Sequence, residues 1–209
     1  EKPLLATFRA YEQGGNREIS LDERRAFWKQ PQDSFWAADL EEDVIIDGGN
    51  YSEKIVSFHD FDGVPGDLGQ IFDRLAATDT NILKLSVTAN DISDAIPIWK
   101  LLERAKTEGK QIIPLAMGEA GKWTRILGLA HGAYLTYAAL DAGKETADGQ
   151  LTAKELIETY RVKELDTDTK VFGVIGDPVS GSLSPYMHNA DFAAADVNAV
   201  FMHLLVKDL

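Results

Sequence analysis

Leu83, Leu85 and Val87 take every second position in the stretch Ile82 to Asp91, and Lys84, Ser86 and Thr88 fill the positions between them. A period of two predicts a strand, because successive side chains of a strand point to opposite faces. Apolar segments of strand length recur over 3–9, 35–43, 54–61, 111–118 and 133–140. Between them the period changes to that of a helix: over 66–78, Leu68, Ile71, Phe72 and Leu75 share one face. Further helices are predicted over 20–30, 93–109, 122–132 and 151–160. Two of them open with capping boxes, Ser20 with Glu23 and Thr152 with Glu155, and Pro97 falls in the first turn of another, where proline is tolerated.

Six strands thus alternate with helices, the exception being the link over 44–53, which is too short for a crossover helix. This order predicts an α/β fold with a parallel sheet. A (β/α)8 barrel and a doubly wound sheet both satisfy it. No glycine-rich dinucleotide fingerprint follows any strand, which favours the barrel. From residue 161 the character changes. Residues 161–170 read as a charged linker; a strand then begins at 171, followed by a turn of glycine and serine, a helix starting at Ser184-Pro185 and a strand over 199–206. This last stretch, 171–209, is too short to bury a core of its own.

Composition narrows the function classes. A net charge of −13 disfavours nucleic acid and anionic membrane as partners, but leaves a small anionic substrate open, since that answers to a few local arginines. The absence of cysteine excludes disulfides and thiolate metal sites. No apolar run approaches the roughly 18 residues of a membrane helix, and no secretory signal pattern is visible. A cytoplasmic setting is the expectation.

Strand parity gathers the candidate chemistry. Lys84, Ser86 and Thr88 are expected to face a barrel interior, as are Thr7 with Arg9 and Ser57 with His59. These polar positions lie toward the C-terminal ends of their strands, where barrel enzymes place their sites. A lysine in a low-dielectric pocket loses its proton more easily and can attack a ketone to form a Schiff base. A nearby histidine can then move the acidified proton. Lys84 and His59 are the candidates; the alternative for Lys84 is a side chain that snorkels to the rim.

Four segments, "SFHDFDGVP", "ILKLSVTANDISD", "PLAMGEAGKWTRILG" and "TADGQLTAKEL", resemble type I 3-dehydroquinate dehydratase in order and spacing over about residues 3–160. The resemblance implies a (β/α)8 barrel that converts 3-dehydroquinate to 3-dehydroshikimate and water through a lysine Schiff base, without metal or cofactor. It makes Lys84 the imine lysine, His59 the general acid/base and Arg125 the grip on the substrate carboxylate. Arg9 matches a site arginine and Gln150 a loop glutamine that closes over the substrate. Thr146 stands where the family usually has serine, and Asp148 where it has proline, which is expected to loosen that lid. Gln13 stands where the family has an acid that orients the histidine, with Glu12 beside it. The resemblance also places the first strand here as the family's third, so that the first two β/α units are absent.

The tail segment "GVIGDPVSGSLSPYMHNADF" resembles the opening of shikimate dehydrogenase. On that resemblance Ser182 and Ser184 would hydrogen-bond a substrate carboxylate, with Gly181 standing where the family often has histidine. The family's catalytic residues and its NADP-binding domain would lie beyond Leu209. The expected organisation is a dehydratase-like barrel over 1–160, a linker over 161–170 and the start of a shikimate-binding domain over 171–209, together a piece of a bifunctional protein, with a homodimer left open. The rival readings are a different Schiff-base lyase of the aldolase type, and a chain inactive by itself whose activity belongs to the oxidoreductase part.

Overall fold

The computed structural model describes residues 3–30, 35–47, 51–80 and 82–207. Five strands, β1 (Leu5–Thr7), β2 (Ala37–Glu41), β3 (Glu53–Asp60), β4 (Ile82–Thr88) and β5 (Gln111–Met117), form one parallel sheet. They lie in the order β1-β2-β3-β4-β5, each beside its neighbour in sequence. A doubly wound sheet reverses direction part-way across, so this order follows the barrel pattern.

Helices cover the outer face: α1 (Leu21–Trp28), α2 (Leu68–Ala76), α3 (Ile96–Thr107) and the short α4 (Lys122–Leu127). Both capping boxes form. Ser20 and Glu23 exchange hydrogen bonds at the start of α1, and Thr152 Oγ1 accepts from the Glu155 N–H at 3.1 Å while a Glu155 carboxylate oxygen accepts from the Thr152 N–H at 2.8 Å. Ile96 and Pro97 open α3, preceded by a 3-10 turn over Ile92–Ala95. The link after β2 is also a 3-10 turn, Glu42–Asp47, in place of a crossover helix. Leu83, Leu85 and Val87 pack with Phe72, Leu75, Ile98 and Leu102 in the main hydrophobic cluster. The period-two and 3.6 patterns therefore meet in one core, as strand parity requires.

Three expectations need correction. Residues 133–140 form no strand of the sheet. The segment runs beside β5, donating from Tyr134 N–H to Ile112 O at 2.8 Å, but the Tyr137 carbonyl turns to the Arg125 guanidinium at 3.4 Å, and only an isolated bridge joins Ala139 to Thr152. The Tyr137 carbonyl is thus turned toward a side chain and not toward a neighbouring strand. The helix predicted over 122–132 ends at Leu127, where Gly128 N–H binds Thr124 O and turns follow. The segment over 151–160 closes as a π-helical turn, Glu155–Thr159.

Residues 161–170 are tied down: Val162 is buried, and the Arg161 guanidinium donates to Ala199 O at 3.1 Å. Beyond them β6 (Lys170–Gly176) and β7 (Ala199–Leu205) make a second, two-stranded parallel sheet joined by α5 (Ser184–Ala194). Val200 and Met202 of β7 share a buried cluster with Ile126, Leu127, Leu156 and Tyr160. Among the described residues no helix is long and apolar enough to cross a membrane. The packing of β4 generates one expectation: Leu85→Ala, at a position with no exposed surface, lowers stability by about 3 kcal/mol, read as a fall in the denaturation midpoint at unchanged slope.

Candidate active site

Adjacent strands carry polar side chains on their common inner face to the wall of one cavity of about 540 Å³. Arg9 follows β1, Asp39 sits in β2, His59 in β3 and Lys84 in β4. Lys84, the residue that interrupts the apolar strand, is 6% exposed. Its Nζ donates to Asp39 Oδ2 at 2.8 Å and lies 4.5 Å from the centre of the Tyr137 ring. Arg9 binds the same Asp39 oxygen through Nη2, and through Nη1 donates to Ser57 Oγ at 3.0 Å. The lysine does not snorkel to a rim; it is held inside by a buried carboxylate.

The electrostatics follow from burial and mutual charge. Burial would raise the pKa of Asp39, but the Lys84 and Arg9 charges hold it well below the usual carboxylate range. Burial pulls Lys84 down to about 8, against the opposing pull of Asp39. Burial, with Lys84 and Arg9 as like charges, pushes His59 down to about 2, so its ring is neutral at physiological pH. Tyr137 is raised by burial and by Asp39. Arg125, 1% exposed on α4, is lowered to about 10 by burial. Its guanidinium makes a long contact to Tyr137 O, and its Nε has no hydrogen-bond partner among the described residues. A buried cation this poorly matched, lining the cavity, is suited to an anion.

Loops complete the walls. Gln13 accepts from the His59 backbone N–H at 3.1 Å, whereas Glu12 is exposed. The turn that carries Gln13 needs both of the glycines after it: Gly14 has φ +89°, and a Cβ on Gly15 would lie 2.2 Å from Arg9 O. Glu41 anchors the same loop by accepting from Ala10 N–H at 2.9 Å and from the buried Arg24 at 2.6 Å. On the far side Gln150 Oε1 accepts from Thr146 N–H at 2.8 Å and from its hydroxyl at 3.3 Å. Asp148 does not leave this loop loose. Its carbonyl accepts from Gly118 N–H at 3.1 Å and its carboxylate from Gly149 N–H at 2.8 Å.

The predicted residues Arg9, His59, Lys84, Arg125, Thr146 and Gln150 all line this cavity. Thr88 does not; its hydroxyl donates to Asp60 O at 3.1 Å. Ser182 and Ser184 lie elsewhere, at the start of α5, where Ser182 Oγ accepts from Ser184 N–H at 3.3 Å. The expected proline-and-serine start of α5 is thus capped from two residues upstream. Sequence reasoning missed Asp39 and Tyr137. Parity offered the first, since Asp39 shares a face with Ala37 and Glu41 just as Arg9 does with Thr7; nothing in the sequence around Tyr137 set it apart from an ordinary strand residue.

The type I 3-dehydroquinase family profile matches residues 1–167. The chain belongs to this family. The bifunctional chloroplastic 3-dehydroquinate dehydratase/shikimate dehydrogenase of Arabidopsis thaliana is 37% identical over 219 residues, covering 99% of this chain and 36% of that protein. The 3-dehydroquinate dehydratase of Dehalococcoides mccartyi is 30% identical over 178 residues, covering 81% of this chain and 79% of that one. The type I 3-dehydroquinate dehydratase from Clostridium difficile, solved with covalently modified comenic acid, superposes with a TM-score of 0.66 at 23% identity, covering 78% of this chain and 70% of that one. That superposition establishes a shared fold. The chain thus spans about a third of the length of its Arabidopsis relative.

The ion cluster of Arg9, Asp39 and Lys84 lies on the wall of the cavity. Asp39→Asn leaves the buried Lys84 and the partly buried Arg9 without this counter-charge, so it should cost about 3–5 kcal/mol. In a denaturation cycle with Lys84→Met, the double variant should recover part of that loss, because one of the stranded cations is gone.

Proposed function

We propose that the cavity is the active site of a type I 3-dehydroquinate dehydratase of the shikimate pathway, with Lys84 as the Schiff-base lysine. One observation carries the reading: an amine buried in a cavity, lowered to about 8, beside a neutral imidazole and a buried arginine whose Nε has no partner among the described residues. At pH 7 such an amine is neutral in roughly one molecule in ten, against a few in ten thousand for an ordinary lysine. The family membership and the dehydratase relatives support it.

The neutral Lys84 Nζ adds to the C3 ketone of 3-dehydroquinate, and the resulting carbinolamine takes up a proton from solvent and loses water to give an iminium. The iminium withdraws electrons and acidifies C2–H. His59 takes the C2 proton and returns it to the C1 hydroxyl, which departs as water as the C1–C2 double bond forms. Hydrolysis of the iminium releases 3-dehydroshikimate and restores the amine. Asp39 holds Lys84 on the cavity wall between turnovers. Arg125 pairs with the substrate carboxylate, and Thr146 and Gln150 close over the ring. Lysine supplies the electrophile, so the dehydration needs no metal or organic cofactor.

In this reading the five-stranded sheet corresponds to part of an eight-stranded barrel, from the family's third strand onward, over 1–160. Residues 161–170 connect it to 171–209, which we read as the opening of a shikimate-binding domain of a bifunctional protein, with Ser182 and Ser184 toward a carboxylate. The Arabidopsis relative, which covers 99% of this chain, favours that second assignment, as does the apolar surface that Phe172 and Ile175 of β6, Met187 of α5 and Leu183 just before α5 leave exposed. NADP would belong to the dehydrogenase part, and no residue here is given a role toward it.

Borohydride reduction with 3-dehydroquinate, followed by peptide mass mapping, should place a stable adduct on Lys84. Lys84→Met should abolish both adduct and turnover. An adduct on another lysine would refute the mechanism. Because only the free amine attacks, the rate of adduct formation should rise with pH and level off above about 8.

A further inference from the structure

The nitrogen atoms of His59 are not equivalent in their surroundings. Arg9 Nη1 lies 3.2 Å from Nδ1, and Gln13 Oε1 lies 3.4 Å from the same nitrogen. Arginine only donates. While Arg9 stays in place, Nδ1 must therefore accept, and the single proton of the neutral ring sits on Nε2. The Gln13 amide cannot rotate to relieve this. Its oxygen is fixed by the hydrogen bond from the His59 backbone N–H at 3.1 Å. The ring is further held by stacking on Phe61, at 6.1 Å between centres and 8° between planes. Nδ1 is occupied from one side by a donor and from the other by a waiting acceptor, so Nε2 is the nitrogen left to meet a substrate.

A ring protonated on Nε2 has no lone pair with which to take a proton there. The base needed for the proposed dehydration is the other tautomer, with the proton on Nδ1 and Nε2 free. Resting on that reading of the site, we propose that Gln13 is a positioning residue for a substrate-gated change of tautomer in His59. In the free protein Arg9 donates to Nδ1 and keeps the ring in the inactive form. Binding of the hydroxylated, anionic substrate draws the Arg9 guanidinium toward the ligand oxygens. Nδ1 then takes a proton and donates it to Gln13 Oε1, while Nε2 gives one up; the ring stays neutral and one proton is exchanged through solvent. The charged groups that face the ring are Lys84, Arg9 and Asp39, and two of the three are cations that oppose imidazolium formation, so the exchange of a neutral ring is the available response. A neutral acceptor serves it well: an amide oxygen stabilises Nδ1–H without competing with Asp39 for Arg9.

The test is nitrogen-15 correlation spectroscopy on the full chain labelled at histidine, with the His59 signals assigned by their loss in His59→Gln. Without ligand, Nδ1 should show the shift of an unprotonated ring nitrogen and Nε2 that of a protonated one. With 3-dehydroquinate bound to Lys84→Met, which holds the substrate without turnover, the two should exchange. Gln13→Met should lower kcat roughly tenfold with little change in KM, the effect of losing one hydrogen bond from the competent form. Gln13→Glu should restore kcat and show Nδ1 protonated already in the free protein. Nδ1 protonated in the free wild-type chain, or unchanged nitrogens on binding, overturns the gate; unchanged nitrogens alongside a borohydride adduct on Lys84 would do so while the Schiff-base reading stands. Unaltered kcat in Gln13→Met would likewise overturn it, and failure to trap any adduct removes the Schiff-base reading and the gate together.

Discussion

A single carboxylate oxygen, Asp39 Oδ2, holds both an ammonium and a guanidinium inside the protein. Without it the buried ammonium would stand unpaired, at a cost of several kcal/mol. The same oxygen sets the working range of Lys84. Burial disfavours the ammonium and the carboxylate favours it, and the balance leaves the amine at about 8. A stronger counter-charge would keep the lysine protonated; a weaker one would free the amine at the expense of the fold. Arg9 tempers the pull by sharing the oxygen, and the Tyr137 hydroxyl lies 3.4 Å from it.

The architecture serves that cluster. Parallel strands in register bring Ser57 beside Lys84 and Glu41 beside Ser57, so alternate residues of neighbouring strands converge on one wall. The apolar residues between them are consumed by α2 and α3, which leaves the inner face free to be polar. The loops are fastened rather than free: Glu41 and Arg24 clamp the turn that carries Gln13, and the close approach of Gly149 to the Gly118 carbonyl seats the loop that carries Gln150. Short α4, which bears Arg125, is backed by Val200 and Met202 of the second sheet. The tail is in this sense structural support for the wall that carries Arg125.

Much of this was legible in the sequence because it depends on period alone. The alternation around Lys84 placed the lysine on the inner face, and the helical period of 66–78 placed Leu68, Ile71, Phe72 and Leu75 in the core, where they are found. Capping chemistry located the starts of two helical segments. What period could not supply was tertiary choice. Residues 133–140 carry a strand-like pattern, yet the Tyr137 carbonyl serves Arg125, a partner twelve residues away on a helix. Asp39 was readable by parity but looked like one more acid in an acidic chain. Which of Glu12 and Gln13 faces His59 depends on the turn at Gly14 and Gly15, a backbone geometry that no side-chain pattern encodes.

Burial outweighs the opposing pull of Asp39, so Lys84 titrates well below an ordinary lysine. Heteronuclear NMR of the chain labelled at the lysine side chains, with the Lys84 signal assigned by its loss in Lys84→Met, measures this in the absence of any substrate. The account predicts a Lys84 midpoint near 8, with the exposed lysines titrating in the usual range around 10.4. A Lys84 midpoint in that usual range would contradict it.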